Sequence, residues 1–305
     1  MSEHYPHIRI DAGFGHLMVR EGLSLNFFLR CTHAEASAAV LHSLETYVRA
    51  VGPQALRWYA DENGDLQELD ETGWALTRRE LREGLWPIVR LYETLEVGGA
   101  YRFEYYGKDR DDRPPRDTRD ATCAMSFWLP TEFLEAQGPS RVRELALELA
   151  APLPFCSGYG GLSFNGELDV VGVGEEIIPY CSRYPGIDLL DLETLGWKLG
   201  TRFRGPAWLT FLGPPLLSEL GGPDTLRSSL HSPGTTVQEL KDGRALVTLG
   251  QWPEAGDLKR GDNLPAYREL ARILEPWLFH NPRPPIPCFS GEDSQRWERR
   301  FLSSA

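Results

Sequence analysis

No apolar run in this 305-residue chain approaches the ~20 residues that a bilayer-spanning helix requires. The opening Met1-Ser-Glu-His-Tyr-Pro lacks the basic and apolar regions of a signal peptide. Together these absences predict a cytoplasmic protein with no membrane partner. Cysteine is sparse: Cys31, Cys123, Cys156, Cys181 and Cys288 are odd in number and contain no C-x-x-C pair. That excludes a dense disulfide framework and predicts reduced, mostly buried thiols. Basic charge is also short. A formal net charge of −12 withholds the basic footprint that phosphate recognition needs, so nucleic acid is not the expected partner. The surplus acid has two readings, ordinary solubility or a basic partner approached by electrostatic steering.

Catalytic signatures are missing too. Gly158-Tyr-Gly-Gly-Leu-Ser163 lacks the Lys-Ser/Thr of a phosphate loop, and Ser163 stands where a dinucleotide fingerprint needs its third Gly. The stretch reads better as a tight strand entry, where Gly allows close backbone approach. Gly172-Val-Gly174 fails the same test at Ile177. No Ser lies in G-x-S-x-G, there is no H-E-x-x-H, and His33-Ala-Glu35 has no downstream P-C-x-x-C. His4 and His7, with Asp11 nearby, are spaced as ligands but have no Cys partner, and Asp188, Asp191 and Glu193 read first as a helix N-terminus or solvated rim. Neither a metal nor a cofactor is expected.

What is present is an ordinary globular composition, 41% hydrophobic and 25% charged. Residues 23–30 alternate, with Leu23, Leu25, Phe27 and Leu29 on one face, the pattern of a half-buried strand. Thr32 and Glu35 form a capping-box signature for a helix with Val40, Leu41, Leu44, Tyr47 and Val48 on one stripe. Residues 56–61 and 66–71 read as strands around Asn63-Gly64, a type I′ hairpin signal. Thr77 and Glu80 suggest a second capping box, predicting a helix that carries Leu81, Leu85, Ile88, Val89 and Tyr92 and is kinked at Pro87.

Residues 101–106, 123–129, 162–165, 208–212, 237–240 and 245–249 are further strands. Helices carry Val142, Leu145 and Leu149, then Tyr267, Leu270 and Leu274, and Ser290 caps the last. Residues 108–120 read as a solvated loop and 281–287 as extended. The expected fold is α+β, mixed or antiparallel sheets with packed helices, as one domain over 1–305. Gly22-Leu-Ser-Leu-Asn26 has an echo in Gly161-Leu-Ser-Phe-Asn165, which raises the alternative of two similar lobes, 1–118 and 119–305. Leu25, Phe27, Val40, Leu44, Phe127, Leu145, Trp208 and Leu270 are the expected core.

Acid is unevenly spread. Residues 61–71 carry Asp61, Glu62, Asp65, Glu68, Asp70 and Glu71 without a base, and residues 165–182 carry Glu167, Asp169, Glu175 and Glu176 without one. Unmixed blocks create a local negative field. They are either solvated surface or the face shown to a cationic partner. Trp58 and Tyr59 beside the first block, and Tyr159 and Tyr184 near the second, are candidate aromatic anchors, with structural core as the simpler reading of each.

Gly158-Tyr-Gly-Gly-Leu-Ser-Phe-Asn165, Tyr184-Pro-Gly-Ile-Asp188, Trp208-Leu-Thr-Phe-Leu-Gly213, the strand at 23–30 and the closing Trp297-Glu-Arg-Arg-Phe301 resemble a bacterial family described as type VI secretion immunity proteins for VRR-NUC nucleases. The likeness covers nearly the whole chain, and its motifs are structural. It implies a non-catalytic cytoplasmic antidote that binds a cognate nuclease effector and blocks its DNA cleft. The alternative is a hydrolase-like enzyme with a His and carboxylates assembled in the second half. Neither reading fixes the cognate toxin, the interface or the oligomeric state.

Overall fold

The computed structural model describes residues 4–12, 15–95, 98–109, 118–168, 170–281, 286 and 288–302. Strands β1 (Arg9–Ala12) and β2 (His16–Leu29) lead into helix α1 (His33–Val51). A small hairpin, β3 (Trp58–Ala60) and β4 (Leu66–Glu68), precedes α2 (Glu71–Glu83), β5 (Ile88–Tyr92) and β6 (Arg102–Tyr106). Then come β7 (Cys123–Pro130), α3 (Thr131–Ala150) and β8 (Phe155–Gly166), followed by α4 (Val173–Arg183) and α5 (Leu192–Lys198). The remainder is β9 (Leu209–Leu212), α6 (Leu216–Glu219), α7 (Gly222–Ser229), β10 (Thr235–Leu240), β11 (Arg244–Leu249), α8 (Pro265–Leu274) and α9 (Gly291–Glu298). The fold is α+β. The described strands form one sheet in the order β10-β11-β9-β8-β2-β7-β6-β5-β3-β4, with β1 pairing β2 beyond the end of β7, and its ladders are antiparallel.

One face of the sheet is apolar for the reason the alternation gives. Leu23, Leu25, Phe27 and Leu29 share it with Phe103, Phe127 and Leu162, and α1 and α3 cover it. Tyr47 of α1 reaches Phe127 at 5.2 Å between ring centroids, and every residue of the expected core is buried. Each such side chain removed from water contributes about 1.5–3 kcal/mol before entropy is counted. Thr32 caps α1 with the expected capping box.

The opposite face departs from the half-buried expectation. It carries Ser24, Asn26, Glu104, Ser126, Tyr159 and Thr210, all buried, because the second half of the chain folds over it. The echoing segments lie side by side in adjacent strands, Leu23 opposite Leu162, within one sheet that is continuous across residue 118.

Two local readings need correction. The glycines at 158–161 lie inside β8, not at its entry: Phe27 and Leu25 of β2 fill the space left at Gly158 and Gly160. A Cβ at Gly158 would sit 2.8 Å from the Asn26 carbonyl oxygen and 2.8 Å from the Phe27 ring. The second correction concerns α2. Asp70, not Thr77, caps it by accepting the Gly73 N–H at 2.8 Å, and the helix stops at Gly84. Ile88, Val89 and Tyr92 then belong to β5, because pairing with the aromatic β6 outweighs a helical stripe interrupted by Gly84 and Pro87.

The polar face is closed by buried ion pairs. Arg204 donates to both Glu298 oxygens at 3.0 Å, and Arg300 donates to Asp188 at 3.2 Å and to the Pro185 carbonyl at 2.8 Å. The Trp297 ring lies 4.8 Å from the Arg204 guanidinium and 3.7 Å from that of Arg300. Burial disfavours the Arg204 charge, but Glu298 and Asp188 beside it raise its pKa on balance.

Glu298→Gln, which leaves Arg204 short of its partner, is expected to lower stability in urea unfolding by about 3–5 kcal/mol, and replacing the pair as Arg204→Met with Glu298→Leu should restore most of that. In the same assay Gly158→Ala is expected to cost about 1–3 kcal/mol. Gly161→Ala, whose nearest new neighbour is 3.5 Å away, should cost clearly less.

Candidate partner-binding site

The acidic hairpin of β3 and β4 is one edge of the sheet. Its turn is built by Asp61, whose Oδ1 accepts the N–H groups of Asn63 at 2.9 Å and Asp65 at 3.0 Å while Oδ2 accepts from Gln67 at 3.1 Å. Slight desolvation opposes the Asp61 charge, yet these donors hold its carboxyl below the ordinary value. The turn is not type I′. Gly64 alone takes a positive φ, +86°, and Asn63 keeps a negative one, because the Asp61 carboxylate fixes the backbone ahead of the glycine.

Glu62, Asp65, Glu68 and Glu71 stand in solvent, whereas Asp70 is engaged as the α2 cap. Trp58 is half-buried opposite Tyr92 and Glu68. Tyr59, also half-buried, lies so close to Gly73 of α2 that a Cβ there would be 2.9 Å from its ring.

Between this hairpin, α2 and the turn after α2 opens a groove of about 680 Å³. Asp61, Glu62 and Glu80 line it, with Arg79, Trp86 and Ile88. Ile88 is 53% exposed, and Leu85 at the adjoining turn is 77% exposed. Trp86 stacks on Trp197 of α5 at 5.7 Å, and the Lys108 ammonium lies 3.9 Å from the Trp197 ring centre. Arg90 donates to the Tyr106 hydroxyl at 2.9 Å. Sequence reasoning missed this groove by placing Leu85 and Ile88 in a helical core stripe. Gly84 and Pro87, read together as a helix stop, were the signal that could have found it.

The second acidic segment lies elsewhere. Glu167, just past β8, binds Arg102 at 2.9 Å, and that guanidinium lies over the rings of Tyr92 at 4.6 Å and Trp128 at 4.7 Å and also pairs with Glu104. Arg102 is opposite Tyr92, which is opposite Trp58, so this cluster marks the end of the strands away from the hairpin turn. Glu175 and Glu176 occupy the first turn of α4, exposed, where the helix dipole favours them. Asp169 lies outside the described residues. The two acidic blocks are therefore not brought onto one surface.

Tyr159 and Tyr184 lie in the core. They are 3% and 7% exposed, and Tyr159 is stacked on Phe28 with burial pushing its hydroxyl pKa well up.

The histidines are dispersed among different partners. His4 Nδ1 meets Glu254 at 2.7 Å, His7 Nδ1 meets Glu21 at 3.1 Å, and His33 Nδ1 meets the Tyr105 hydroxyl at 2.8 Å. In the second half, His231 lies 3.5 Å from Glu269. Asp191 caps α5 through the Thr194 N–H, and Asp188 is held by Arg300. Among the described residues no three His, Cys, Asp or Glu side chains cluster as metal ligands, and no helix is long and apolar enough to cross a membrane. All five cysteines are free thiols.

No curated protein matches the chain in sequence. In structure it is similar to the Pseudomonas aeruginosa T6SS protein PA0821, with a TM-score of 0.79 at 19% identity over 97% of this chain and 87% of that one. That likeness shows a shared fold. The family model for type VI immunity for VRR-NUC matches residues 39–301, and the chain belongs to that family.

Proposed function

We propose that the chain is a non-catalytic immunity protein that binds a cognate VRR-NUC nuclease in the cytoplasm and neutralises it. The observation that carries the reading beyond family membership is the hairpin at the sheet edge, where Glu62, Asp65, Glu68 and Glu71 stand in solvent without a base in the segment. A nuclease surface that holds phosphates is cationic, and an unmixed acidic edge is its electrostatic complement. Such a field acts at a distance and accelerates encounter. Each exposed carboxylate adds only about 0–1 kcal/mol to affinity, so the grip itself rests on apolar contact. The block from Glu167 to Glu176 adds to the negative field from the other end of the strands, without sharing the hairpin's contact surface.

The test changes Glu62→Gln, Asp65→Asn, Glu68→Gln and Glu71→Gln together, leaving Asp61 to hold the turn. Association with the cognate nuclease is expected to slow roughly tenfold at low salt. The difference should shrink as added salt shortens the Debye length from about 10 Å at 0.1 M to about 3 Å at 1 M. A rate and salt dependence equal to the parent's would make the hairpin plain solvated surface.

A further inference from the structure

We infer that the groove between the acidic hairpin and α2 is the contact seat for a cation-bearing segment of the partner nuclease, anchored by Leu85, Trp86 and Ile88; this rests on the partner-binding reading above. Single exposed apolar residues are common and need no explanation. Here Trp86 and Ile88, the latter 53% exposed, line a groove of about 680 Å³, and Leu85, 77% exposed, is the residue next to Trp86. Val171 is even more exposed, at 98%, but no residue beside it in sequence lines the groove. Aromatic and aliphatic side chains gathered at a concave surface, ringed by polar groups, are the make-up of a binding hot spot.

The electrostatics select the occupant. Asp61, Glu62 and Glu80 line the groove against Arg79 and Arg90, and the Arg90 guanidinium is already given to the Tyr106 hydroxyl. Asp65 and Glu68, exposed in the same hairpin, add to the negative field around it. A Lys or Arg carried beside an apolar side chain satisfies both the acid wall and the apolar floor.

The seat is also fixed in advance, which limits the ordering entropy lost on binding. The Gly84 N–H donates to the Glu80 carbonyl at 3.0 Å, closing the helix. The Pro87 carbonyl accepts the Gly107 N–H at 2.8 Å, and Trp86 is stacked on Trp197. Leu85 thus projects from a turn held at both ends.

The experiment measures equilibrium binding of the full chain to a purified cognate VRR-NUC protein. Leu85→Asp is expected to weaken binding tenfold or more, Ile88→Thr (which keeps strand propensity) severalfold, and the two together more than either. Val171→Asp, an apolar-to-acid change outside the groove, is expected to bind within twofold of the parent. Glu80→Lys should weaken binding more than Glu80→Gln; equal losses would overturn the cationic occupant. If the parent binds and Leu85→Asp with Ile88→Thr binds equally well while retaining the parent's circular dichroism, the groove is not the seat, though the immunity reading survives. Failure of the parent to bind any VRR-NUC protein sinks that reading and this inference with it. A parent that self-associates, with Leu85→Asp abolishing only the self-association, would assign the groove to a second copy of the chain and overturn the proposal.

Discussion

The pairing of β2 with β8, from Val19 opposite Gly166 to Leu29 opposite Phe155, is the constraint on which the other elements depend. It joins the strands drawn from the first 130 residues to those drawn from the rest, and every other ladder grows outward from one of these two. The pairing is possible only because β8 is glycine-rich where β2 is bulky. Gly158 and Gly160 stand opposite Phe27 and Leu25, whose side chains occupy the volume that larger residues in β8 would need. Phe27 then spreads across to Phe155, Phe211 and Phe127, so the seam is also the centre of the apolar core.

Its other face gathers segments that lie far apart in sequence. Asp188 donates its N–H to the Leu162 carbonyl and accepts the Phe164 N–H, docking the Tyr184-Pro-Gly-Ile-Asp188 loop on β8. Arg300 and Glu298 from the closing motif hold Asp188 and Arg204, and Trp208 is wholly buried between β8 and β11. These segments are parts of one lid over the polar side of the seam. Buried charges of this sort stabilise weakly in net terms but penalise any arrangement that separates them. The lid's closure is therefore specific more than it is strong.

How much of this was legible follows from which forces were local. The Thr32–Glu35 box, the Leu23-to-Leu29 alternation and the stripe through Val40, Leu44 and Tyr47 are signals carried by neighbouring residues, and each led to the right element. The α+β class followed from them. Ile88 to Tyr92 did not follow, because its identity as a strand is set by Arg102 to Tyr106, which is remote in sequence, and its spacing fits a helix equally well. The burial of Ser24, Asn26 and Ser126 was invisible for the same reason: polar residues at alternate positions announce solvent unless a later part of the chain arrives to cover them. Of the site, the acid of the hairpin could be read directly. The groove beside it depends on where α2 ends, and Tyr159 and Tyr184 could be placed inside only once the lid was known.

A sheet of this width ends in two open edges, and an open edge is a template on which another strand can grow. The edge at β4 is three residues long, all exposed, and it emerges from a turn crowded with carboxylates. A second molecule bringing the same edge alongside would bring the carboxylates of the two hairpins together. Like charges brought face to face repel, so the hairpin's charge disfavours growth of the sheet onto a second copy of itself.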